Sequence, residues 1–235
     1  MAPVLMTNTT RDWRPWVTSL VTMAAITALS RMLPPSSEAT GVAAAFLIPV
    51  WWWVWRQEDA VVQEHGLGLG GLMLHDRRRA LTGFGLSAIV LAAVTMLVLL
   101  PYALGYRWWR GMMGPVQWAY AWQGVVRDAP GQLLMVALPE EAFFRGYLQT
   151  ALDRQFVTKV RILGAEVGLG LLISSAIFAV GHVLTRPHPE RLAVFVPSLL
   201  FGWMRARTGG VGAPIAFHAL CNLLAAGLLR GLTPS

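Results

Sequence analysis

The chain has 235 residues, 55 % of them apolar and 13 % charged, with a formal net charge of +7 and a single cysteine, Cys221. Soluble domains carry roughly 25 % charged residues, so composition points to the membrane class and excludes disordered, collagenous and disulfide-scaffold chains. Lys159 is the one lysine, and the arginines punctuate long apolar runs; positive loops beside membrane spans account for that pattern better than a nucleic-acid surface does.

In chain order, residues 15–30 and 39–55 are charge-free runs that extend at their ends into two spans. No small-residue cleavage site precedes Arg31, so the first span is expected to be retained. Residues 56–79, with Gly66, Gly68, Gly70, Gly71, His65 and His75, predict a solvated connection or surface helix. The run 80–100 follows Arg77, Arg78 and Arg79 and is the clearest span; 208–229 is another, and 167–184 is apolar apart from His182. The stretch 192–204 is short and holds Pro197, which neighbouring helices can accommodate. All tryptophans but Trp203 lie near a span end or in a connection, as an interfacial belt requires. The expectation is an all-α polytopic integral membrane helical bundle of about seven to eight spans. It forms one domain over 1–235, with the N-terminus and most arginines, Arg11 among them, on the cytoplasmic side of a bacterial inner membrane.

The interrupted segment 131–152 carries the chemistry, because Glu140, Glu141 and Arg145 fall in its middle. An ionised carboxylate within hydrocarbon costs about 2.5–3.5 kcal/mol even on lenient scales. Glu141 and Arg145 stand at i and i+4 and form an ion pair on one helical face. Glu140 points about 100° away, and Pro139 beside it predicts a kink or local opening. A packing ion pair explains Glu141 and Arg145 but not Glu140, and an unpartnered carboxylate is what proton transfer uses. His182 and His218 lie in otherwise apolar helices, whereas His65, His75 and His188 are read as solvated. His218 and Asn222 project from one face at i, i+4 and can donate to an oxyanion. Glu140 and His182 can hold and deprotonate water, and Phe178, one turn before His182, shields that water or orients the ring.

Glu140-Glu141-Ala-Phe-Phe-Arg145, Phe178-Ala-Val-Gly-His182 and His218-Ala-Leu-Cys-Asn222 occur in that order. They resemble Glu-Glu-x-x-x-Arg, Phe-x-x-x-His and His-x-x-x-Asn of the CPBP intramembrane endopeptidases, the family of type II CAAX prenyl proteases and bacteriocin-processing Abi proteins. The resemblance covers residues 130–230, which it marks as the catalytic core. It implies hydrolysis of a peptide bond near the terminus of a membrane-associated protein or peptide. Glu140 and His182 would activate water, His218 and Asn222 bind the oxyanion, and Glu141 with Arg145 brace the site. No cofactor is favoured, since Asn222 suits an oxyanion donor better than a zinc ligand; zinc would draw on Glu140, His182 and His218. A Cys221–His218 pair is conceivable, although buried cysteines are usually packing residues. Ser174 and Ser175 lack a Gly-x-Ser-x-Gly setting. Two non-proteolytic readings stay open: a membrane scaffold that binds a partner, and a proton-coupled transporter using Glu140 and His182.

Overall fold

The computed structural model describes residues 12–68, 77–112, 114–115 and 118–232. Arg11, Gly70, Gly71 and His75 lie outside the described residues. Helix α1 (Arg14–Met32) starts on Pro15, whose missing N–H costs nothing in a first turn, and stops before Pro34 and Pro35. Helix α2 (Pro35–Val50) runs on through a π-wound segment, Trp51–Trp55, and is followed by the short α3 (Asp59–Glu64). Helix α4 spans 77–109 with a π segment at Thr95–Leu99. The longest helix, α5, covers 118–155 and contains two π segments, Gln132–Ala137 and Ala142–Gln149, flanking the α-wound turn Leu138–Glu141.

Each π segment has a proline close by: Pro49, Pro101, Pro130 and Pro139. A proline removes one N–H from the hydrogen-bond ladder and presses its ring on the carbonyl four residues back, and wider turns relieve both. The local opening expected at Pro139 therefore takes the form of π winding on either side of the two glutamates.

Strands β1 (Lys159–Ile162) and β2 (Ala165–Gly168) form an antiparallel hairpin, with Ile162 opposite Ala165. The hairpin departs from the all-α expectation, and it shortens the run 167–184 to helix α6, Leu169–Thr185. Both turn residues are left-handed, Leu163 at φ 46° and Gly164 at φ 79°, the pattern of a two-residue hairpin turn matched to strand twist. Trp203 Nε1 donates to Ile162 O at 2.9 Å, which ties the hairpin to the helix behind it. A 3₁₀ segment (Pro189–Val194) leads into α7 (Phe195–Thr208), closed by Gly209 at φ 77°, and α8 (Gly212–Leu232) ends the described chain.

The fold is thus all-α apart from that hairpin. Two described stretches are long and apolar enough to cross a bilayer, Leu81–Trp109 and Gly212–Gly231. The other long helices are shorter or less apolar, so the expected seven to eight spans exceed what length and hydropathy support. In its most apolar stretch Leu81–Trp109 is only 11 % buried, and Leu97, Met96, Ile89 and Leu100 all face outward. A soluble protein does not leave such a helix bare to water. Three apolar clusters are buried, the smallest being Ala165, Val167 and Leu171 at the hairpin; the other two are larger. One gathers Phe143, Phe144 and Leu148 of α5 with Phe46, Val50 and Phe178; the other gathers Phe201, Met204 and Phe217 with Val90 and Val94 of α4. A buried polar group (Glu141, Arg145, Gln149, Ser198, His218) accompanies the two larger clusters.

Candidate active site

Helix α5 supplies the carboxylates. The Glu141 side chain is 0 % exposed, whereas that of Glu140 keeps 13 %. Arg145 Nε lies 3.1 Å from Glu141 Oε2, the expected i, i+4 pair, although the N–H is not aimed for a hydrogen bond. Arg145 is held from α7 as well: its Nη2 donates to Ser198 Oγ at 2.8 Å and to Ser198 O at 3.2 Å. Its guanidinium carbon also sits 4.6 Å from the ring centre of Phe178 and 5.2 Å from that of Phe201. Desolvated cation–aromatic contacts of this kind are worth about 2 kcal/mol.

His218, on α8, meets both glutamates. Its Nδ1 is 2.8 Å from Glu141 Oε1, and its Nε2 is 3.9 Å from Glu140 Oε2. The sequence reading set Glu140 apart from the Glu141–Arg145 face; in the folded protein the adjacent carboxylates converge on the two nitrogens of one imidazole. A carboxylate only accepts, so Nδ1 carries a proton and Nε2 is the nitrogen turned to Glu140. Phe201 stacks on the His218 ring at 4.9 Å and 15°, and Phe178 meets it edge-on at 5.9 Å.

His182 Nδ1 donates to Phe178 O at 2.9 Å, leaving its Nε2 as the available nitrogen. The Phe178 ring lies 4.4 Å from the imidazole, so Phe178 orients His182 as well as filling the core. Glu140 is near enough to His182 for direct electrostatic interaction, as is His218. Arg191 Nε caps the helix by donating to His182 O at 2.9 Å. Glu140 Oε2 is buried and accepts no hydrogen bond from any described residue.

Asn222 turns its carboxamide toward Gln132 of α5, Nδ2 to Oε1 at 3.1 Å. Sequence reasoning missed Gln132, Ser198 and Phe201, which lie far along the chain from the groups they touch and carry no charge to flag them. Cys221 is buried beside the second apolar cluster, consistent with packing. His65 corrects another expectation. Far from solvated, it is 3 % exposed and donates from Nδ1 to Val61 O at 2.8 Å. Next to it, Val211 N donates to Gly66 O at 3.1 Å, closing the end of α3 against the start of α8.

As a zinc site, Glu140, His182 and His218 are chemically suitable donors. Among the described residues no three His, Cys, Asp or Glu side chains are already gathered as a ligand set.

Residues 118–224 match the Rce1-like family, described as type II CAAX prenyl endopeptidase. That segment is similar to the CAAX proteases. The family is one of membrane-embedded peptide hydrolases, and the matched segment holds each of the three motifs. Neither a curated protein nor a solved structure matches the chain.

Proposed function

We propose that this chain is a CAAX-type intramembrane endopeptidase in which Glu140 is the general base. The observation that carries the reading is Glu140 Oε2, buried without a hydrogen-bond partner among the described residues and 3.9 Å from His218 Nε2. That separation is too long for a direct hydrogen bond, but a water molecule at hydrogen-bond distance from both atoms would subtend about 90° between them. His182 Nε2 accepts a hydrogen bond from the water's other O–H and so orients it. Glu140 takes the first proton as the oxygen attacks the carbonyl carbon, then passes it to the leaving amine nitrogen as the C–N bond breaks. His218, as an imidazolium stabilised by Glu141, and the free N–H of Asn222 donate to the oxyanion. With His218 charged, Glu140, Glu141, Arg145 and His218 sum to zero, the balance a low-dielectric site favours.

The substrate is the terminal region of a membrane-associated protein or peptide: a prenylated C-terminus, a C-terminal sorting helix or a bacteriocin precursor. The chain is one multi-pass bundle of about seven spans in a bacterial inner membrane, with residues 130–230 as catalytic core. The exposed apolar face of α4 and the exposed Trp51, Trp52, Trp108, Trp109 and Trp122 support that placement. Cleavage of a farnesylated C-terminal peptide by the purified chain tests the proposal. Glu140→Gln is expected to lower turnover about 10²–10⁴-fold with folding intact, and chelation is expected to leave turnover unchanged. Wild-type cleavage by Glu140→Gln defeats the mechanism; proton-linked uptake or partner binding that survives without any cleavage moves the chain to the transporter or scaffold reading.

A further inference from the structure

Gln132 belongs to none of the three motifs, yet it accepts the hydrogen bond that Asn222 donates across to a neighbouring helix. Asn222 Nδ2 donates to Gln132 Oε1 at 3.1 Å, across 90 positions of sequence. Helices α5 and α8 run antiparallel along this face: Arg230 pairs with Asp128, Asn222 with Gln132, and His218 with Glu141. Gln132 opens the π segment preceding Pro139 and is followed by the exposed apolar residues Leu133, Leu134 and Met135. An amide set before such a run contributes little to packing. Both partners are only partly buried, and hydrogen bonds between membrane helices average only about 0.6 kcal/mol, so holding the helices together does not exhaust what this contact can do.

The chemistry of Asn222 gives the contact a purpose. A carboxamide has two N–H donors on one side and an acceptor oxygen on the other. Rotated by half a turn, it would present oxygen to a developing oxyanion and repel it. An acceptor fixed on one N–H selects the orientation in which the other N–H is free to donate.

We infer that Gln132 is a positioning residue that sets the carboxamide of Asn222 for oxyanion binding. The inference rests on the proteolytic reading above, and the variants separate the two. The probe is a farnesylated C-terminal peptide carrying a fluorophore and quencher, cleaved by the full chain in detergent micelles. Gln132→Met removes the acceptor at similar size, Gln132→Asn withdraws it by one methylene, and Gln132→Glu keeps an acceptor that cannot flip. Gln132→Met and Gln132→Asn are expected to lower kcat about tenfold to a hundredfold at unchanged KM, while Gln132→Glu stays close to wild type. Adding Gln132→Met to Asn222→Ala is expected to cost nothing further, because the group being positioned is already gone.

If Asn222→Ala lowers kcat and both Gln132→Met and Gln132→Asn retain it, the inference falls and the proteolytic reading stands. A rise in KM alone, or an additive loss in the double variant, marks Gln132 as packing and overturns it too. If Gln132→Met does not fold, Gln132→Asn decides in the same terms. Wild-type kcat in Asn222→Ala removes the oxyanion role and the inference with it, and a wild-type chain that leaves the probe uncut removes the reading beneath both.

Discussion

Replacing Arg145 by methionine strips a buried group of several partners at once. The side chain is 1 % exposed and its neighbour Glu141 is 0 % exposed, so no water can take over for the lost guanidinium. Glu141 would keep its charge without the cation 3.1 Å away, and Ser198 Oγ would lose the donor at 2.8 Å. Breaking a buried pair by removing one partner costs about 3–5 kcal/mol; the aromatic contacts to Phe178 and Phe201 place Arg145→Met toward the upper end. At about 2–4 °C per kcal/mol for a chain of this size, the temperature of half-loss falls by about 6–20 °C. Size-exclusion recovery after heating in detergent, at one fixed heating rate, reads that shift without assuming reversible unfolding. The double variant Glu141→Gln/Arg145→Met removes both charges and leaves His218 Nδ1 an amide oxygen to donate to. It should recover much of the lost stability, because an intact buried pair contributes far less than a broken one costs. A single variant within a few degrees of wild type, or a double variant no more stable than the single, would refute this account of Arg145.

Other consequences follow from close packing and from burial outside the apolar spans. At Gly202 an added Cβ would lie 2.7 Å from Gln149 Oε1 and 3.0 Å from Leu171 Cγ, and Gln149 cannot simply swing away because its amide donates to Gly202 O. Gly202→Ala is therefore expected to cost about 1–3 kcal/mol and to lower turnover through the displaced Ser198 and Phe201, read by thermal recovery and kcat together. Burial, reinforced by Arg154 and Arg205 and opposed by the Val61 bond and Glu64, holds the His65 imidazole below its usual value. The unfolded chain therefore binds that proton more readily than the folded one. The clamp between α3 and α8 keeps its full strength above about pH 6.5 and loses it as pH falls through the lowered value. Hydrogen-exchange protection across residues 59–68, corrected for the intrinsic pH dependence of amide exchange, should fall between pH 7.5 and pH 5 in the wild type and much less in His65→Gln; equal pH responses would contradict it.

Much of this was legible from local pattern. Charge-free runs at 80–100 and 208–229 became the two longest apolar helices, and the Glu141–Arg145 pair followed from helical spacing alone. What escaped was non-local. The Glu141–His218 bond joins residues 77 apart, and Asn222–Gln132 joins residues 90 apart, so no periodicity reports them. His65 looked solvated because its neighbours in sequence are polar; the adjacent Gly66 meets Gly209–Val211, more than 140 residues away, and no local pattern reports that contact. The hairpin did have a local signal, Lys-Val-Arg-Ile followed by Leu-Gly, but the basic residues there read equally well as a loop flanking a span.

Because a ribosome delivers the chain from its N-terminus, the groups that surround Glu140 arrive at different times. Arg145 emerges four residues after Glu141, so that carboxylate is neutralised within its own helix turn. Glu140 has no such companion: His182 follows a hairpin later, and His218 comes only with α8. A nascent chain that has not yet delivered α8 would hold Glu140 without the imidazole of His218, so the cluster around that carboxylate assembles only once α8 has packed against α5.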